Sequence, residues 1–148
     1  MSLVDTASLA VHLLVGAVWA GAIAFVVTGV LPLARDGELN AAPLERIAGS
    51  LRRLSRVAAV FILATGGHLA GTRYTAESLT STGNGHLVLT MAGLWFVVTG
   101  LVEVGTGKLL DGTGDKEVRE PARRATRFLQ AAALGGGLIL VVGSLLAT

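Results

Sequence analysis

Three histidines, His12, His68 and His86, are the side chains of this sequence best suited to chemistry. Neutral imidazole is the commonest metal ligand, and imidazole also holds haem iron. His12 stands out by its surroundings. Between Asp5 and Arg35 run 29 residues without one Asp, Glu, Lys or Arg, and His12 is the only ionisable side chain among them. The chain has no cysteine, which excludes thiolate metal sites, Fe–S clusters and disulfides. No Ser-His-Asp or Cys-His nucleophile arrangement can be assembled, so catalysis is the less expected role. The glycines at 105–107 and 135–137 follow no strand and do not read as a phosphate cradle.

Two ligand chemistries are open. Imidazoles suit copper or zinc, and Cu(I) also takes thioether sulfur. Met91 lies five residues beyond His86, about 140° round a helix from it. Alternatively, His12 and His68 on different helices at matching depth would serve as ligands of a haem b lodged in a bundle. The plain alternative is a histidine that only hydrogen-bonds a neighbouring helix or a head group. Spacing alone does not separate these.

The elements that must position the histidines are helices in a membrane. The chain is 52% hydrophobic and 15% charged over 148 residues, with mean hydropathy +0.68, against about 25% charge in soluble domains. A bilayer core of about 30 Å takes about 20 residues of helix. The run from Thr6 to Ala34 meets that requirement, and Val57–Thr72, Ser78–Val102 and Phe128–Thr148 are likewise free of Asp, Glu, Lys and Arg. The expected fold is all-α: one integral membrane four-helix bundle spanning 1–148, with helices over 7–31, 44–71, 86–110 and 121–147. The first helix reads as a retained span and not a cleaved signal, because its leading residues carry Asp5 and no Lys or Arg.

Charge placement orients the bundle. Arg35, Arg46, Arg52, Arg53 and Arg56 precede the charge-free run of the second helix, and Lys108, Lys116, Arg119, Arg123, Arg124 and Arg127 lie between the charge-free runs of the third and fourth. Only Arg73 is elsewhere. The positive-inside rule then makes that side cytoplasmic and puts both termini outside, in a multi-pass plasma-membrane protein. A pI near 9.7 therefore reflects topology beside anionic head groups and no nucleic-acid partner. The expected partners are the lipid bilayer, a metal ion or haem, and a second copy or a membrane subunit.

In this topology all three histidines fall at the outer end: His12 about 8 Å into the first helix, His68 near the end of the second, His86 in the first turn of the third. His12 shares a row with Gly16, Ala20 and Ala24, a small-residue stripe that lets helices approach in lipid and turns His12 toward the bundle. Pro32 is expected to end the first helix. Residues 44–56, with Leu44, Ile47, Leu51 and Leu54 on one side, read as an amphipathic extension along the cytoplasmic interface, continuous with the second helix. Asn84 is the expected N-cap of the third helix. Trp19 and Trp95 are expected in packing roles, and Glu103 in an ion pair with the arginines of helices two and four.

The motifs also resemble a family. His12 with Trp19-Ala20-Gly21, then Arg52-Arg53-Leu54-Ser55-Arg56-Val57-Ala58, Thr65-Gly66 and Ser81-Thr82-Gly83-Asn84-Gly85-His86-Leu87 look like the membrane domain of the copper resistance protein D family, over roughly His12 to Leu110. Asn84 stands where that family usually has tyrosine, and Met91 or its neighbours where it has lysine. The resemblance implies a small membrane protein that handles copper and moves it inward, with His12 as the transferable polar position. The pattern is more loosely similar to haem-binding membrane proteins related to protoporphyrinogen oxidation. The two readings expected from the sequence are therefore a copper site of His12, His68 and His86, and a haem b on His12 and His68.

Overall fold

Four long helices do form, as a computed structural model describing residues 2–147 shows. The chain runs α1 (Leu3–Phe25), a π-helical turn (Val26–Val30), α2 (Leu31–Asp36), α3 (Ala41–Arg73), α4 (Ala76–Ser81), α5 (Gly83–Leu110), a 3-10 turn (Thr113–Asp115) and α6 (Arg119–Leu146). The fold is all-α, and no strand occurs among the described residues. At the start of α1 the Ser2 side chain accepts from the Asp5 backbone while the Asp5 carboxylate accepts from the Ser2 backbone, a reciprocal cap.

Pro32 does not end the first helix as expected. The chain passes through it to Asp36, because the π turn absorbs the missing donor: the Leu31 N–H reaches back to the Val26 carbonyl, and Pro32 falls in the first turn of α2. A proline is tolerated there, where its N–H would have no partner. The true stop is Gly37, whose positive φ of 75° lets its N–H turn back onto the Leu33 and Ala34 carbonyls.

The stretch 44–56 is continuous with the second helix as expected, forming the first half of the 33-residue α3, but it does not lie along the interface: Leu44, Ala48 and Leu51 are buried in the bundle. The apolar stripe that suits an interface suits a helix neighbour equally well. The loop after α3 folds into α4, held by a Thr75–Ser78 capping box. Thr82, not Asn84, caps α5, with its side chain accepting from the Gly85 N–H. Gly85 is required: a Cβ there would run into the backbone of Ser78 and Leu79.

Each helix packs on its chain neighbours, α1 on α3, α3 on α5, α5 on α6, and α6 closes the ring onto α1 and α2. This antiparallel ring is the up-down-up-down arrangement that short connections favour. Close approach is made by glycine. Gly136 meets Ala20 of α1, Gly135 meets Val98 of α5, and Gly105 of α5 receives Leu129 of α6. Of the row 12, 16, 20, 24, only Ala20 is buried and Ala24 is exposed, because 3.6 residues per turn carries a four-residue row off its face.

Burial is uneven along the bundle axis. Trp19, Ile23, Leu44, Leu51, Val98, Leu109, Ala122 and Leu129 all lie toward the pole that carries the arginines. Toward the other pole, among described residues 2–18, 60–97 and 137–147, only Leu69 and Gly85 are buried. Leu14, Phe61, Phe96 and Leu134 instead point outward, each more than half exposed. Four helices are long and apolar enough to cross a bilayer, and an outward apolar coat over a small-residue core is the pattern of a multi-pass membrane protein.

Candidate functional site

The α1–α3 seam carries the polar chemistry. Asp5, His12 and Trp19, at seven-residue intervals on α1, meet His68, Thr65 and Ser55 of the antiparallel α3. His68 Nε2 is 3.0 Å from Asp5 Oδ1, His12 Nδ1 is 2.9 Å from Thr65 Oγ1, and Trp19 Nε1 donates to Ser55 Oγ at 3.0 Å. A seven-residue repeat keeps one face toward one neighbour, as in a coiled-coil seam.

The His12 hydrogen bonds assign its tautomer. Thr65 Oγ1 donates its single proton to the Phe61 carbonyl at 2.6 Å, so toward His12 it can only accept. Nδ1 of His12 therefore carries the proton, and Nε2 keeps a lone pair to which no described residue donates. The imidazole rests on Gly66, where an added Cβ would come 2.8 Å from Cε1. His12 is only half-buried. An outer acceptor that fixes tautomer and ring plane is how proteins prepare a histidine ligand.

His68 donates from Nε2 to the Asp5 carboxylate. Asp5 Oδ2 accepts from the Ser2 N–H, so both carboxylate oxygens are engaged. His86 donates from Nε2 to the Thr80 carbonyl at 2.8 Å, within the α4–α5 junction. Each histidine thus has one ring nitrogen hydrogen-bonded, and the other has no hydrogen bond from a side chain among the described residues. His12 and His68 share the seam, with His68 two residues beyond the glycine on which His12 rests. His86 belongs to a different helix pair. Among the described residues, no three His, Cys, Asp or Glu side chains come together to hold a metal ion, so the three histidines do not form one cluster. The Met91 methyl lies on the Gly143 side of α5, toward α6.

Asp5 and Ser55 were not legible as partners in the sequence. The signal that finds Asp5 is its seven-residue interval to His12 and Trp19. Trp95 is half-buried and donates to the Ala59 carbonyl. At the opposite pole Glu103 accepts from Arg52 Nε at 2.7 Å and from both Nε and Nη2 of Arg56. This is the expected ion pair, made with the arginines of α3 alone and not those of α6. Glu103→Ala leaves two cations facing each other. It is expected to lower the unfolding temperature, by less at high salt than at low salt, because these side chains are 30–61% exposed and screening reaches them.

Fold and site together define a four-helix, multi-pass membrane protein with histidines at one pole and arginines at the other. The chain matches no protein-family model, no curated protein and no solved structure.

Proposed function

We propose that this is a plasma-membrane protein of the copper resistance protein D type that handles copper at its outward pole, with His12 Nε2 as first donor and His68 as second. The observation that carries the reading is the Thr65 hydroxyl, already committed to Phe61 and so holding His12 as the Nδ1–H tautomer. That leaves an imidazole lone pair open and oriented, the form in which copper takes a histidine. Two protein donors suit a cargo that must leave again, whereas closed four-ligand cages retain their metal. With eleven of twelve Lys and Arg near the other pole, the positive-inside rule turns the histidine pole outward. His86 enters this reading only as a relay position on the rim.

A second reading is a haem b on His12 and His68, which share the α1–α3 seam. When bound, haem would supply electron transfer. His12 and His68 would hold it, and Thr65 would orient the His12 imidazole.

Equilibrium copper binding by the purified full chain tests the first reading. His12→Ala is expected to weaken binding by more than the roughly 10–100-fold typical of losing an outer-shell partner, and Thr65→Val by about tenfold. Gly66→Ala is expected to push the ring aside and weaken binding while the bundle still folds. If His12→Ala and His68→Ala both bind as the parent does, the reading fails. A Soret band in the purified protein would replace it with the second.

A further inference from the structure

The arginine pole carries a second group of side chains that the histidine site does not use. Lys108 of α5 and Arg127 of α6 flank the same ring: Lys108 Nζ lies 5.4 Å and Arg127 Cζ 5.0 Å from the centroid of Phe128. Like charges repel, so two cations on one half-buried phenyl ring are a costly arrangement unless an anion joins them. Beside them is a depression of about 400 Å³ lined by Lys108, Glu120, Arg123, Arg124 and Arg127. Glu120 is its only carboxylate, and it lies 3.5 Å from Arg124 Nε. Among the described residues, Lys108, Arg123 and Arg127 have no carboxylate partner. Glu103, the nearest acid on α5, is taken by Arg52 and Arg56. Three cations are left uncompensated around one hollow.

The level of the hollow selects the anion. From Phe128 to Ala147 there is no charged residue, and 20 residues of helix rise about 30 Å, the thickness of the hydrocarbon core. Arg127 is thus the last charge before the hydrocarbon, and Lys108 shares its ring. That is the plane of the lipid phosphates. Guanidinium forks match phosphate oxygens in pairs, while lysine supplies a point charge beside them. Phe128 offers an apolar flank to the glycerol and first acyl carbons.

We propose that Lys108, Arg123 and Arg127 bind the phosphate head group of an anionic phospholipid between α5 and α6. The site is independent of any ligand at the histidine pole.

The test titrates the full chain in neutral detergent micelles with short-chain phosphatidylglycerol, short-chain phosphatidylcholine and inorganic phosphate, with bound lipid read by native mass spectrometry. Phosphatidylglycerol is expected to be retained and phosphatidylcholine not. Lys108→Gln with Arg127→Gln should weaken retention about 30-fold, since each basic residue near the surface contributes about a fivefold factor. Arg123→Gln, at an exposed position, should cost about fivefold and covers the case in which the double variant does not fold. Arg46→Gln with Arg53→Gln removes the same charge from exposed positions on α3 and should stay within twofold of the parent. Equal losses in the two double variants would mean diffuse attraction and overturn the proposal. Equal retention of the two lipids, or binding of inorganic phosphate as tight as that of phosphatidylglycerol, would also overturn it.

Discussion

A Trp19→Ala chain is expected to unfold about 3–5 kcal/mol more easily than its parent. Trp19 is 2% exposed and sits where the seam enters the packed half of the bundle. Its loss removes a large volume from among Ile23, Ala58 and Val98, members of the same buried cluster. Inside lipid, helix association draws on packing and hydrogen bonds more than on solvent transfer, so an unfilled volume is felt directly. The indole N–H also matters, since it donates to Ser55, itself 2% exposed. Ser55→Ala keeps the ring and strands that donor, for an expected cost of about 1–3 kcal/mol. Unfolding in mixed micelles of rising denaturing-detergent fraction measures both. A Trp19→Ala value within 1 kcal/mol of the parent would mean that the α1–α3 seam does not hold the bundle together.

The second large effect lies between α5 and α6. A Cβ at Gly105 would meet Leu129 Cγ and Cδ2 at 2.7 Å, and one at Gly135 would meet Val98 Cγ2 at 2.5 Å. Leu129 and Val98 are both fully buried, so neither can swing away. Gly105→Val and Gly135→Val are each expected to cost at least the 1–3 kcal/mol typical of overpacking, with the two helices forced apart. Gly100→Ala is the control. It has open space around its Cβ position, and alanine is the better helix former by about 1 kcal/mol. That variant should match or exceed the parent in the same unfolding assay. If the two valine variants match it as well, glycine is not what lets α5 and α6 approach.

Much of the architecture is legible in the sequence. The charge-free runs announce four helices, since a stretch such as Thr6–Ala34 has no stable alternative to a membrane span. Trp19 as packing and Glu103 in an ion pair also follow from local position, although of the arginines expected around Glu103 only those of α3 pair with it. Where structure and sequence part, the physical reason is shared. Pro32 looked like a stop because a proline removes one hydrogen bond, but a π turn one step earlier supplies the slack and α6 packs against the continued helix. Leu44 and Leu51 looked interfacial because an apolar stripe does not say whether lipid or another helix will cover it.

The histidines divide in the same way. Their placement at one end of the bundle is written in helix order and length alone. Which nitrogen is open is not, because that depends on Thr65 turning its proton to Phe61 and on Asp5 reaching His68 across the seam. The sequence by itself determined the number of helices, their alternating direction and the separation of imidazoles from guanidiniums, since each follows from polarity counted along one chain. Only the tertiary structure decided partners, because a hydrogen bond between residues 5 and 68 or 12 and 65 depends on how two helices are rotated against each other. That rotation is set by packing over the whole seam, which no local stretch contains.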